Sequence, residues 1–255
     1  MGRKGKSPQK TDFIKWLLIL GLVAVAAAVL LYASYRYHWF QPDLVIDRAK
    51  YPVRGIDVSN HNDSVDFELV VNDGYDFVFI KASEGATYRD PMFEHNVRAA
   101  ADAGLCVGAY HFFRQNRTAA EQIQNFLAAV GDTRLDLPLV IDVEDEWGNA
   151  GDDPTVTMKR LAGMVHTLRD MGHKVMVYTN GNGYRKYYKK HLDHDCLLWL
   201  CSFKHPDSLT HLPHVVQQYS HWGKVKGVDG DVDLNVFCGS RKEWKEFLKQ
   251  NQQEQ

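Results

Sequence analysis

The sequence predicts an α/β fold: a modified (β/α) barrel of eight strands with an incomplete helical ring, preceded by one transmembrane helix. Three observations predict it. Apolar, β-branched runs alternate with helix signals from residue 53 to residue 180. Three more such runs follow, separated by gaps too short for crossover helices, which need a dozen or more residues. Near the N-terminus, Trp16 to Tyr35 contains no charged residue, and about 20 apolar residues span a hydrocarbon core as a helix.

Residues 1–15 are basic, with Arg3, Lys4, Lys6, Lys10 and Lys15 against Asp12. The span is expected at 16–35. It is apolar on every face, unlike a core helix, and longer than the usual core of a cleaved secretory signal, the rival reading. Arg36 is the one positive charge soon after it, so the positive-inside rule keeps the N-terminus cytoplasmic. Tyr32, Tyr35, Tyr37 and Trp39 suit the far interface. Residues 36–52 read as a linker, 53–250 as an exported domain and 251–255 as a polar tail.

The whole chain has 30 Lys and Arg against 32 Asp and Glu. Without its first 36 residues it has 24 against 31, a net −7. No basic stripe stands out, which argues against a nucleic-acid partner. Four cysteines, Cys106, Cys196, Cys201 and Cys238, are too few for a disulfide scaffold, and no pairing is expected.

Within the domain, the strand runs are 53–58 (VRGIDV), 76–83 (DFVFIKAS), 106–113 (CVGAYHFF), 137–144 (LPLVIDVE), 174–180 (KVMVYTN), 196–203 (CLLWLCSF), 214–220 (HVVQQYS) and 232–237 (VDLNVF). Helices belong mainly beside the first five. Asp90-Pro91 reads as a cap followed by proline at the first helical position, closed by Gly104. Thr118 and Glu121 form a capping box. Asp153-Pro154 opens another helix, which Gly172 closes. Near-continuous apolar strands predict a parallel, covered sheet. A doubly wound open sheet is the alternative, though no Gly-rich phosphate motif follows the first strand. The segment RKEWKEFLKQ should pack Trp244, Phe247 and Leu248 against the barrel.

In such barrels chemistry lies at strand ends. Asp142 and Glu144 close the strand LVIDVE, and residues i and i+2 share a face. Two carboxyl groups held together push one toward its neutral form and leave the other ionised, the pairing that glycosidic cleavage uses. Asp145 and Glu146 read as a solvated loop. Asp57 lies inside an apolar strand, and closure of the barrel can bring Asp233 against it. The run VDGDVD fails the EF-hand pattern, because Gly230 comes too early. No metal or cofactor is expected.

Taken in order, GIDVSN (55–60), FIKASEG (79–85), GAYHFF (108–113), LVIDVE (139–144), VYTN (177–180), WLCSF (199–203), QQYS (217–220) and GDVDLN (230–235) make the domain resemble glycoside hydrolase family 25, the Chalaropsis-type lysozymes. The resemblance runs from about Arg54 to Gly239. It implies a barrel lacking helices beside its later strands, and cleavage of the β-1,4 bond between N-acetylmuramic acid and N-acetylglucosamine in peptidoglycan. It implies Glu144 as catalytic acid, Asp142 as second carboxylate, and Asp57 and Asp233 as the rest of an acidic cluster. Tyr110, Tyr178 and Trp199 fall at its groove aromatics, with Gln218 among the substrate contacts. Glu84 and Lys81 are expected to pair beside the site, and His111 to be structural. The family's usual W-x-A-x-Y reads here with Cys201 and Phe203 in place of Ala and Tyr, so one hydroxyl contact is lost. Asp142 could attack the anomeric carbon, or stabilise an ion formed by the substrate's own acetamido group. A non-catalytic, membrane-anchored wall-binding module is the rival reading. A metal-dependent deacetylase is another, but the histidines, including His173, His191, His194, His205, His211, His214 and His221, lack ligand spacing.

Overall fold

The computed structural model describes residues 9–36, 44–144, 153–192 and 196–252. The chain divides into two units, residues 1–43 and a compact body from Leu44 to Gln255. In the first, helix α1 runs Gln9–Arg36, and its segment Phe13–Ser34 is long and apolar enough to cross a membrane. Tyr37, Trp39, Asp145, Glu146 and His194 lie outside the described residues.

In the body, strands β1 (Arg54–Val58), β2 (Phe77–Glu84), β4 (Cys106–Phe112), β5 (Leu139–Asp142), β6 (Val175–Asn180), β7 (Leu197–Cys201), β8 (His214–Gly223) and β9 (Val232–Phe237) close on themselves through β1–β2 and β1–β9 pairing. The two-residue β3 (Tyr88–Arg89) lies on β2. Apart from β3, which is antiparallel to β2, each neighbouring pair from β1 through β8 is parallel. The expectation of a parallel sheet fails at β9, which runs antiparallel to both β8 and β1. The β8–β9 connection is too short for a crossover, so the chain can only turn back. The reversal puts the N-terminal end of β9, where Asp233 sits, at the rim formed by the C-terminal ends of the others.

Period-two alternation sorts the strand residues into two layers. Val78, Ile80, Val107, Ala109, Ile141, Val177, Leu198 and Leu200 face outward into one apolar cluster with helix residues such as Ala100, Phe126, Leu161 and Leu168. Phe77, Phe79, Val140, Met176, Tyr178, Trp199, Val216 and Phe237 fill the interior. Gly108 makes room there: a Cβ would stand 2.5 Å from the Phe79 ring.

The helices α2 (Phe67–Asn72), α3 (Phe93–Ala103), α4 (Ala119–Val130) and α5 (Pro154–Asp170) accompany the first strands. A short helical segment, α6 (Gly181–Gly183), continues into a π turn at Tyr184–Tyr188 after β6. Asp66 caps α2; at six residues α2 is too short for a periodic signal. The Thr118 capping box, Asp153 cap and Pro154 stand as the sequence predicts. Asp90 does not cap α3, which begins at Phe93. Its carboxylate instead accepts from the Asn60 and Met92 amides, at 3.0 and 2.9 Å, and ties the loop after β1 to the turn before α3. Helix α7 (Arg241–Gln252) closes the opposite end of the barrel, with Trp244 5.2 Å from Phe77 and 5.1 Å from Phe237 between ring centroids.

Candidate active site

Three strands deliver the acidic residues to one mouth. Asp57 on β1 stands directly opposite Asp233 on β9. Asp142 ends β5, in register with Phe112 and Tyr178 on its two neighbours, and Glu144 follows two residues later. The strand end is pinned: Phe113 N donates to Asp142 O at 2.8 Å, Val143 N to Tyr178 O at 2.9 Å, and Thr179 Oγ1 to Val143 O at 2.8 Å.

The carboxyl groups differ in environment. Asp142 is 8 % exposed, and its Oδ1 has no hydrogen-bond partner among the described residues. Burial, then the charges of Glu144 and Asp57, push its pKa well above the ordinary carboxylate value, against a smaller opposing effect of Lys81. Asp57 is also raised, by desolvation first and then by Asp233. Its ionised form is nonetheless supported by two amide donors, Gln218 Nε2 at 2.9 Å and Asn235 Nδ2 at 2.7 Å. Asp233 pairs with His221, Nδ1 to Oδ1 at 2.7 Å. Glu144 is half-buried. Its backbone carbonyl accepts from Gln115 Nε2 at 3.3 Å.

Beneath the acids runs a fixed polar chain. The Tyr178 hydroxyl donates to Gln218 Oε1 at 2.7 Å, and the Trp199 indole donates to Asn235 Oδ1 at 2.8 Å. Each amide then has its NH2 left to present to Asp57. Trp199 is 2 % exposed, stacked on Phe79 at 4.4 Å and edge-on to Tyr178 at 4.8 Å. Phe79 thus covers one face of the indole, and the Tyr178 ring is buried beside it. Tyr178 and Trp199, expected along the groove, are buried at its inner end and hydrogen-bonded to the two amides that reach Asp57. Trp199→Phe should therefore keep the ring packing but leave Asn235 Oδ1 unpaired. A cost of about 1–3 kcal/mol is expected in chemical denaturation, together with about a tenfold loss of activity.

Tyr110 remains half-buried at the mouth. Burial first, then Asp57, Asp142 and Asp233, push its phenol well above the ordinary value, so it stays a hydroxyl donor. On the other side, Lys81 Nζ meets Glu84 Oε2 at 2.6 Å, and Arg114 Nε meets Glu84 Oε1 at 2.8 Å. Burial alone would raise Glu84, but hydrogen bonds from Lys81 and Arg114 outweigh it and hold the carboxyl below its usual range. Lys81 lies 5.2 Å from the centre of the Phe112 ring. His111 points outward, between Ser83 Oγ (2.8 Å) and Gln122 Oε1 (3.2 Å), and burial pushes it down to about 4. It is a neutral structural residue.

Asn235, His221 and Arg114 are the residues that sequence reasoning missed. Asn235 was within reach, because it lies two positions from Asp233 on the same face. His221, read only as one of the histidines without ligand spacing, stands on β8. Among the described residues, no group of three or more His, Cys, Asp or Glu side chains is placed to hold a metal ion. What the mouth does hold is a desolvated, proton-binding carboxyl beside a more exposed one, above a rigid amide cradle.

The profile of "Glycosyl hydrolases family 25" matches residues 56–228. The chain is 33 % identical over 188 residues to an "Autolytic lysozyme" of Clostridium acetobutylicum, covering 72 % of this chain and 56 % of that protein. It thus spans little more than half the length of that relative. It is 32 % identical over 206 residues to "Lysozyme M1" of Streptomyces globisporus, covering 74 % of this chain and 68 % of the other. A solved family 25 glycosyl hydrolase from Bacillus anthracis superposes with a TM-score of 0.72 at 29 % identity, over 82 % of this chain and 98 % of the other.

Proposed function

Because this chain belongs to family 25 of the glycosyl hydrolases, we propose that it is a lysozyme-type hydrolase that cleaves the β-1,4 bond after N-acetylmuramic acid in peptidoglycan. The observation that carries this is the Asp142–Glu144 pair, with one member desolvated and proton-binding at the mouth of a closed barrel. A pure binding module has no use for such a pair, because keeping carboxyl groups buried together is costly. The lysozyme names of the two relatives agree with the reading.

In this mechanism the pair carries a proton between its two members. Glu144, the more accessible, delivers it to the leaving glycosidic oxygen. Asp142 is left ionised beneath the anomeric centre. Its buried Oδ1, without a hydrogen-bond partner among the described residues, suits an N–H of the substrate's 2-acetamido group, which favours the substrate-assisted route over direct attack. Asp57 and Asp233 shape the negative potential that stabilises the positive charge developing on the sugar. Tyr110, Lys81 and Glu84 line the mouth around them, and Gln218 acts through Asp57.

The helix α1 makes the protein a single-pass membrane protein in this reading, with its basic end in the cytoplasm and the barrel outside, where peptidoglycan lies. The function is tested by incubating the full-length protein, in detergent, with purified peptidoglycan. New reducing ends are expected. Retention on the polymer without new ends would make it a wall-binding module instead.

A further inference from the structure

Beside the acidic cluster lies a second constellation, built from three neighbouring strands. Cys201 is the last residue of β7 and shares the inward face with Trp199, two positions before it. Its Sγ lies 3.8 Å from Nε2 of His221 on β8. The other ring nitrogen of His221 meets Asp233 Oδ1 on β9 at 2.7 Å. Phe203 and Trp222 pack their rings edge-on to the imidazole, at 4.9 and 5.8 Å, and hold it in this plane. The His221 and Asp233 side chains are 37 % and 32 % exposed, and Cys201 is half-buried, so small solutes can reach the row.

We propose that the Cys201–His221–Asp233 row makes Cys201 a modification site in the groove floor, one that reacts with peroxide and, once oxidised, blocks the groove. The first part stands on this geometry alone; the second rests on the hydrolase reading above. A carboxylate on one nitrogen and a sulfur on the other both favour the imidazolium. Burial alone would lower His221, but the bonds to Asp233 and Cys201 raise it to about 11. A ring nitrogen of a cationic imidazole held against the sulfur is the arrangement that activates a cysteine as a nucleophile. Burial pushes the thiols of Cys106 up to about 11 and Cys238 up to about 12.

The step is balanced. The Cys201 thiolate attacks one peroxide oxygen, an S–O bond forms and the O–O bond breaks. The sulfur is oxidised to sulfenic acid and the departing oxygen, reduced to hydroxide, takes the proton of the His221 imidazolium and leaves as water. Asp142 and Tyr178 lie close enough to Cys201 to interact with it electrostatically, so an added oxygen stands beside the acid site, where a sugar ring would have to enter.

The test uses the full-length protein in detergent and limiting iodoacetamide at neutral pH, with each cysteine quantified by peptide mass analysis. Cys201 should label at least tenfold faster in the folded chain than in the same chain unfolded in urea. His221→Gln should remove that advantage. Equal rates in folded and unfolded wild type would overturn the proposal, as would an unchanged Cys201 rate in a folded His221→Gln chain. Should His221→Gln not fold, the wild-type ratio decides alone. Hydrogen peroxide should lower peptidoglycan hydrolysis by wild type at least tenfold, and leave Cys201→Ala at its own untreated rate. Equal inhibition of both would refute the blocking step. Absence of hydrolysis from both untreated proteins would count against the hydrolase reading, while the labelling result stands.

Discussion

Glu144→Gln is expected to lower peptidoglycan hydrolysis by about 10²–10⁴-fold, the usual contribution of a positioned general acid. Gln keeps the volume and planarity of the side chain, and the residue is half-buried rather than locked in the core. The barrel should therefore fold as before, with an unchanged circular dichroism spectrum, and still bind the polymer. What the variant lacks is a proton to give. The loss should appear in kcat with little change in KM, because the interaction is made in the transition state. Hydrolysis within threefold of wild type would remove Glu144 from its assigned role.

Asp142→Asn should separate activity from stability. Activity should fall by about 10²-fold or more, because the group that stabilises the developing cation is gone. Stability should move the other way. Burial and the neighbouring acids raise the folded pKa of Asp142 well above its ordinary value of 3.8. An acid raised in the folded state binds its proton more tightly there than in the unfolded chain. Its stabilising contribution is complete below the unfolded value and is lost as pH rises through the folded value. At neutral pH and above, Asn avoids that loss. Stability should rise by about 1–3 kcal/mol, or about 2–4 °C in Tm per kcal/mol for a body of this size. The gain should vanish below about pH 3, where both wild-type states hold the proton. A thermal melt of the variant against wild type at pH 7.5 and about pH 3 checks both signs; a lower Tm for the variant at pH 7.5 would contradict the desolvation argument.

Much of this site was legible because the strands that carry it are short, buried and strictly alternating. Asp142 and Glu144 share a face by parity alone, and the apolar residues before them left no reading but a strand end. Barrel closure then required the first and last strands to meet, and Asp57 does stand opposite Asp233. The direction of β9 was not legible. Parity is the same whichever way a strand runs, and only the length of the preceding gap carried the information. Trp199 and Tyr178 were placed on the inward face, where the structure has them, but their depth was not legible. Sequence gives the side of a sheet, whereas depth depends on which neighbouring rings cover the residue, here Phe79 for Trp199. His221 was lost among many histidines because its partners, Asp233 and Cys201, come from different strands and lie twelve and twenty residues away. Asp90 was misread for a related reason. Its carboxylate is committed to the distant Asn60 amide as well as to the local turn, and no local pattern reveals that.

The most direct trial is to digest reduced, purified peptidoglycan with the full-length protein, reduce the fragments again with labelled borohydride, and identify the labelled terminal sugar. The acid pair at Asp142 and Glu144 predicts muramitol, the mark of cleavage on the reducing side of N-acetylmuramic acid. Labelled glucosaminitol, or no label at all, would contradict it.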